Sequence, residues 1–188
     1  ALAKIKEGNQ IRHRMGDLGW MDKKGRLWFC GRKSHRVITT EETLFTIPCE
    51  AIFNNHPQVF RSALVGVGSR PRQRPIIIAE LEKTASPINF QMLEKELLSM
   101  AAANKLTQSI QTVLFHKAFP VDIRHNSKIF REKLTVWAEK KLKQKKLLNF
   151  YKERKEFVIV DARNWYKSKI GKFRNAITPQ IKNFRQWK

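Results

Sequence analysis

The sequence predicts a small α+β domain flanked by two segments of different character. Three observations carry this. Val59 to Val67 and Pro75 to Leu81 are apolar, β-rich runs separated by a basic turn. Phe90, Leu93, Leu97, Leu98 and Met100-Ala101 recur at helical spacing, and so do Ile129, Phe130, Leu134, Trp137 and Ala138. Prolines and glycines stand between these runs rather than inside them.

In chain order, residues 1–33 read as loop, then strand. Met21 to Arg26 is a polar turn, Leu27 to Cys30 a strand, and Gly31 to Ser34 a break. His35 to Thr39 and Leu44 to Ile47 read as a β-hairpin around Thr40 to Thr43. Pro48 suits the first turn of a helix reaching His56, which Pro57 stops. The buried strand Val59–Val67 follows, then the basic turn Ser69 to Arg74 and the strand Pro75–Leu81. A helix is expected from Asn89 to Asn104, a third sheet strand over Gln111–Phe115, and a loop over His116–Ser127 held by Pro120. A last helix runs from Ile129 to about Leu142. The sum is a β-hairpin and a three-stranded sheet with flanking helices, roughly 110 residues in all. No internal repeat is visible.

Past Lys143 the pattern changes. Residues 143–188 hold 14 Lys and Arg against 3 Asp and Glu, so this quarter of the chain carries half of its net charge of +22. Phe157 to Val160 is strand-like. Tyr166, Ile170, Phe173 and Ile177 form a helical apolar stripe, and Thr178-Pro179 suits a further helical turn carrying Ile181, Phe184 and Trp187. The segment reads as a basic amphipathic or partly disordered extension. A field of this sign attracts nucleic acid, anionic lipid or acidic protein without choosing among them. Phe150, Tyr151, Trp165, Tyr166 and Trp187 would stack on bases, although no recognised nucleic-acid-binding motif is present. A basic amphipathic helix with Trp flanks would instead lie on an anionic membrane.

No apolar run approaches the roughly 20 residues that span a bilayer. The opening Ala1-Leu2-Ala3-Lys4 has neither initiator Met nor an apolar secretory segment, so a piece of a longer polypeptide is expected. Cys30 and Cys49 form no CxxC pair, which fits two packed thiols in a reducing cytoplasm.

Two runs carry chemistry. One is Gly16-Asp17-Leu18-Gly19 leading to Gly31-Arg32; the other is His125-Asn126-Ser127-Lys128 ahead of a helix. Together they offer a carboxylate for a vicinal diol, a fixed planar cation and a lone lysine. Each has a bland alternative: a turn Asp bonding its own backbone, a surface Arg, one solvated Lys among many. The five histidines show no metal spacing, and Asp122 with His125 has no Ser or Cys partner for a triad. The phenylalanines, Trp28 and Trp137 read as core.

In this order the motifs resemble the C-terminal third of the acyl-adenylate-forming enzymes, the superfamily of acyl-CoA synthetases, adenylation domains and luciferases. Arg14 to Asp17, Leu27 to Lys33, Phe45 to Phe53 and Phe119 to Asn126 are similar to one branch, the olefin-biosynthesis β-lactone synthetases. The resemblance covers about residues 10–142 and leaves 143–188 unmatched. It implies that residues 1–33 end a large N-terminal domain and that 34–142 form the mobile C-terminal domain. Asp17 and Arg32 would hold the nucleotide, and Lys128 would bridge carboxylate and α-phosphate. Ser34 would sit at the hinge, two after Arg32, where the family carries Asp or Lys. Glu50 would support a helix start through its dipole rather than act as an acid.

The resemblance further implies ATP and Mg2+, bound mainly outside this segment, so the chain alone is expected to be inactive. The substrate would be a 3-hydroxy fatty acid closed to a β-lactone, or a fatty acid joined to CoA. The stretch Val37–Pro48 contains no Gly, which disfavours a pantetheine-facing loop. A complex with other olefin-biosynthesis enzymes, in the cytoplasm or at the membrane surface, is the implied setting. The expectation from another class is a basic module binding nucleic acid or membrane.

Overall fold

The structure is a computed structural model that describes residues 4–13, 15–83, 87–124 and 128–153. Its centre is a three-stranded sheet in which β7 (Val59–Val67) and β9 (Val113–Phe115) flank β8 (Arg74–Leu81). β7 and β8 are antiparallel, and β8 and β9 are parallel. A parallel pair needs a crossover, and α2 (Phe90–Ala102) supplies it. The side chain of its N-cap, Asn89, accepts from the Gln91 and Met92 amides at 3.1 Å.

Alternation along β8 divides the core. Ile77 and Ala79 face Phe53, Leu93, Leu97 and Ala101 on one side. Ile76 and Ile78 face Phe119, Leu134 and Ala138 on the other. The first side is covered by α1 (Thr46–Asn54) and α2, the second by α3 (Arg131–Lys152). A strand buried on both faces reads as an unbroken apolar run, which is what Ile76-Ile77-Ile78-Ala79 is.

Around this sandwich lie four two-stranded ribbons. β1 (Lys4–Glu7) pairs with β2 (Gln10–His13), and β3 (Asp17–Met21) with β4 (Leu27–Arg32). β5 (Val37–Ile38) pairs with β6 (Thr43–Leu44), and β10 (Val121–Asp122) with β11 (Lys128–Ile129). The described residues up to Leu142 pack as one compact unit, distinct from what begins at Lys143.

Several expectations are corrected. The amino-terminal segment holds two hairpins, because Gly8 and Gly25 take positive φ in their turns and Asp22 organises the second. The Asp22 carboxylate accepts from Trp28 Nε1, the Arg26 amide and Nε, and the Lys24 amide. These bonds, led by Trp28, hold its carboxyl down at about 2. Trp28 is 46% exposed and Phe29, Phe60 and Phe90 are exposed too, so they are not core. A two-stranded ribbon has no second layer over it, and Trp28 stacks on Trp20 at 6.0 Å instead. Phe53 and Phe119 are core as expected, and Trp137 is half-buried.

Thr46 and Ile47 open α1 rather than extending β6, and the third sheet strand begins at Val113, not Gln111. Lys128 and Ile129 form a strand, so the last helix starts at Arg131 and then runs on to Lys152. The expected elements from Phe157 to Trp187 lie outside the described residues. No described helix is long and apolar enough to cross a membrane.

Glu50 is also corrected. It lies beyond the first turn of α1 and is 5% exposed. Arg131 Nη2 donates to both its oxygens at 2.8 and 2.7 Å, and the Leu64 amide donates to Oε1 at 2.8 Å. It therefore joins α1, β7 and α3 rather than answering a helix dipole. Burial pushes its pKa up and Arg131 opposes that shift. Removing one partner of such a pair strands the other charge, at a cost of about 3–5 kcal/mol. Glu50→Gln should lower the urea midpoint of the 188-residue chain accordingly, and the double change Glu50→Leu with Arg131→Met should lose less. Equal losses for single and double variants would show that the pairing is not what matters.

Candidate functional site

Asp17 and Arg32 are cross-strand partners in β3–β4. Arg32 Nε lies 3.1 Å from Asp17 Oδ1, and its Nη1 donates to the Met15 carbonyl at 3.0 Å. Arg32 is thus aimed by its own strand pair. Gly31, just before it, is buried with φ +110, and a Cβ there would collide with the Thr46 hydroxyl. Only glycine lets β4 pass this close to α1.

Lys128 is placed by a separate chain of contacts. Glu80 is buried on β8, takes Arg61 Nε at 2.8 Å and accepts the Phe119 amide at 2.7 Å. Phe119 anchors the loop into the core, and the Phe130 amide then donates to the Pro120 carbonyl at 2.9 Å. Between these anchors β10 and β11 pair, setting Lys128 opposite Asp122. The Lys128 side chain is exposed, and its ammonium has no ion pair among the described residues.

These placements meet in one open groove of about 750 Å³. β4 contributes Phe29, Gly31 and Arg32; α1 contributes Thr46 and Ile47; the β10–β11 region contributes Asp122, Lys128 and Phe130. His35 and Arg131 complete the lining. The groove therefore brings together Arg32 and Lys128, two residues chosen from sequence. Asp17 stands behind Arg32 and Ser34 faces a different cavity. Sequence reasoning missed His35, Thr46 and Arg131. His35 had a signal, being three residues after Arg32 across a turn closed by its amide on the Arg32 carbonyl.

The electrostatics are one-sided. Burial first, then Arg131, push the His35 imidazole below its ordinary 6.5; Glu132 opposes, and Lys128 and Arg32 add to the depression. A neutral imidazole beside two cations and apolar Phe29, Ile47 and Phe130 makes a wall suited to an anion attached to an apolar body. The carboxylates nearby are Asp17, engaged by Arg32, and Asp122. Among the described residues no three His, Cys, Asp or Glu side chains gather. Cys49 is buried, with its thiol pushed up to about 12, and takes no part.

Since the folded His35 binds its proton less readily than the unfolded one, it withdraws stability as pH falls below about 6.5. Ring resonances followed through a pH titration should give a value under 6.5 that rises in both Lys128→Ala and Arg32→Gln. A value unmoved by either change would show that these cations do not set the potential at His35.

No family model matches the chain. Over 141 residues, 72% of this chain, it is 50% identical to the olefin β-lactone synthetase of Xanthomonas campestris pv. campestris, covering 25% of that protein. Over 150 residues, 77% of this chain, it is 46% identical to the olefin β-lactone synthetase of Stenotrophomonas maltophilia, covering 27% of it. The chain thus spans about a quarter of the length of these curated relatives. In structure it is similar to the o-succinylbenzoate CoA synthetase of Bacillus subtilis solved with an acyl-adenylate, with a TM-score of 0.55 and 22% identity over 68% of this chain and 25% of that one. Fold and sequence agree: over the matched part the chain is similar to the olefin β-lactone synthetases, and its fold is that of the C-terminal domain of adenylate-forming ligases.

Proposed function

We propose that this segment serves an ATP-dependent ligase that adenylates a 3-hydroxy fatty acid and closes it to a β-lactone. The observation that carries the reading is that Arg32 and Lys128, remote in sequence, line one groove. In the first step a carboxylate oxygen attacks the α-phosphorus and pyrophosphate leaves. Two anions must approach, and repulsion between them grows toward the transition state. An unpaired ammonium between them offsets that repulsion where it is largest. Asp17 gives one oxygen to Arg32, and its other oxygen accepts from a ribose hydroxyl.

In the second step the 3-hydroxyl oxygen attacks the acyl carbonyl, the bond to the phosphate oxygen breaks, AMP leaves and the hydroxyl proton goes to solvent. Ring closure within one chain gains an effective molarity of roughly 10⁵ M or more when well oriented. Magnesium would neutralise the triphosphate and would be held by parts of the ligase outside this chain. Within the proposal, residues 1–33 end the large domain and 34–142 turn about Ser34, a rotation that needs only a few backbone dihedrals to change. The setting is cytoplasmic or at a membrane surface. The basic segment 143–188 contacts an anionic surface there, lipid or nucleic acid, and such contact would weaken steeply with salt.

In the full-length ligase Lys128→Ala should slow adenylate formation about 10²- to 10³-fold, measured as pyrophosphate release in a single turnover. An undiminished rate would remove Lys128 from the chemistry. Product analysis with and without CoA separates the two readings: lactone formed without CoA supports ring closure, whereas AMP release that requires CoA supports an acyl-CoA synthetase. The 188-residue chain alone is expected to form no adenylate.

A further inference from the structure

A second cavity, of about 510 Å³, opens on the other side of His35. Its walls are the segment Ser34–Arg36, the end of β7, the loop that follows it and the start of α3. The guanidinium groups around it are not equally occupied. Arg131 is spent on Glu50. Arg70 Nη2 donates to the Ser34 and Arg36 carbonyls at 2.7 and 3.0 Å, with its Nε 3.4 Å from Gln73 Oε1. Arg36 differs: its Nε is buried and has no acceptor among the described residues, and its side chain forms no ion pair there.

A buried guanidinium N–H without an acceptor is costly, and native folds seldom leave one. Here that donor belongs to a residue lining a cavity large enough for a ligand. Its neighbours are the cation Arg70, the imidazole of His35 and the hydroxyl of Thr135, whose proton goes to the Arg131 carbonyl at 3.0 Å. Glu132 on α3 is the one carboxylate in the lining, and it is exposed. The Arg131–Glu50 pair brings no net charge. The balance is positive, and guanidinium geometry suits a tetrahedral oxyanion.

We propose that this cavity is a binding site for a phosphate-bearing anion, received by Arg36 and Arg70. The site goes beyond the adenylation reading: it shares only the His35 and Arg131 wall with the groove and contains neither Arg32 nor Lys128. Because Arg70 already holds the Ser34 and Arg36 carbonyls, an anion on both guanidiniums ties the segment 34–36 to the loop after β7.

The test is titration of the 188-residue chain with inorganic phosphate, pyrophosphate and AMP at fixed chloride, following the Arg36 Nε–H resonance. A saturable shift is expected, with affinity falling roughly 10- to 100-fold in Arg36→Gln and unchanged in Lys128→Ala. Should Arg36→Gln fail to fold, Arg36→Lys keeps the charge but loses the fixed fork and should still weaken binding several-fold. Tighter binding of pyrophosphate than AMP names a released diphosphate as the source, and the reverse names a nucleotide. A shift that does not saturate, an affinity indifferent to Arg36, or one abolished by Lys128→Ala overturns the proposal. None of these outcomes touches the Lys128 rate test in the full-length ligase, so the two readings fail separately.

Discussion

The buried pair between Glu50 and Arg131 fixes the rest of the arrangement. One carboxylate takes a guanidinium from α3 and an amide from β7 while standing on α1. The sheet and both layers over it therefore meet at one side chain. Arg131 lies in the walls of both the groove and the second cavity. A pair like this adds little net stability compared with an apolar replacement. Its use is positional: it settles where α3 begins, and therefore where β11 sits, with Lys128 three residues earlier.

The same logic sorts the cations of a chain with net charge +22. Arg131 is answered by Glu50, Arg61 by Glu80, Arg32 by Asp17 and Arg26 by Asp22. These guanidiniums hold the fold or aim a strand. Lys128 and Arg36 have no such answer among the described residues, and each lines a separate recess. In a strongly basic protein, charge alone carries no functional meaning. The informative cations are those the fold has placed without neutralising.

The sheet and its covering helices were legible in sequence because burial on both faces leaves a continuous apolar run. Val59–Val67 was bounded as the structure has it, and Asn89 is the cap at the expected helix start. The ribbons were not legible. Two-residue strands such as β10 and β11 have too little length for alternation to show, so Lys128 read as a loop residue before a helix. The exposed aromatics misled for a related reason: composition cannot tell Phe53, covered by α2, from Phe29 on an uncovered ribbon. The site was half legible. Asp17, Arg32 and Lys128 stood in motifs, but His35, Arg36 and Arg131 acquire meaning only from what packs beside them.

His35 shows why the two recesses bear on one another. It lines both, and its depressed basicity reflects cations on either side: Arg131 in the shared wall, Lys128 and Arg32 in the groove. Charge entering either recess therefore changes the potential at His35. An anion in either place would ease protonation of His35 and lower the local excess of positive charge. The segment 32–36 carries Arg32 into the groove, Arg36 into the cavity and His35 between them, so a shift of this backbone cannot alter one recess without altering the other.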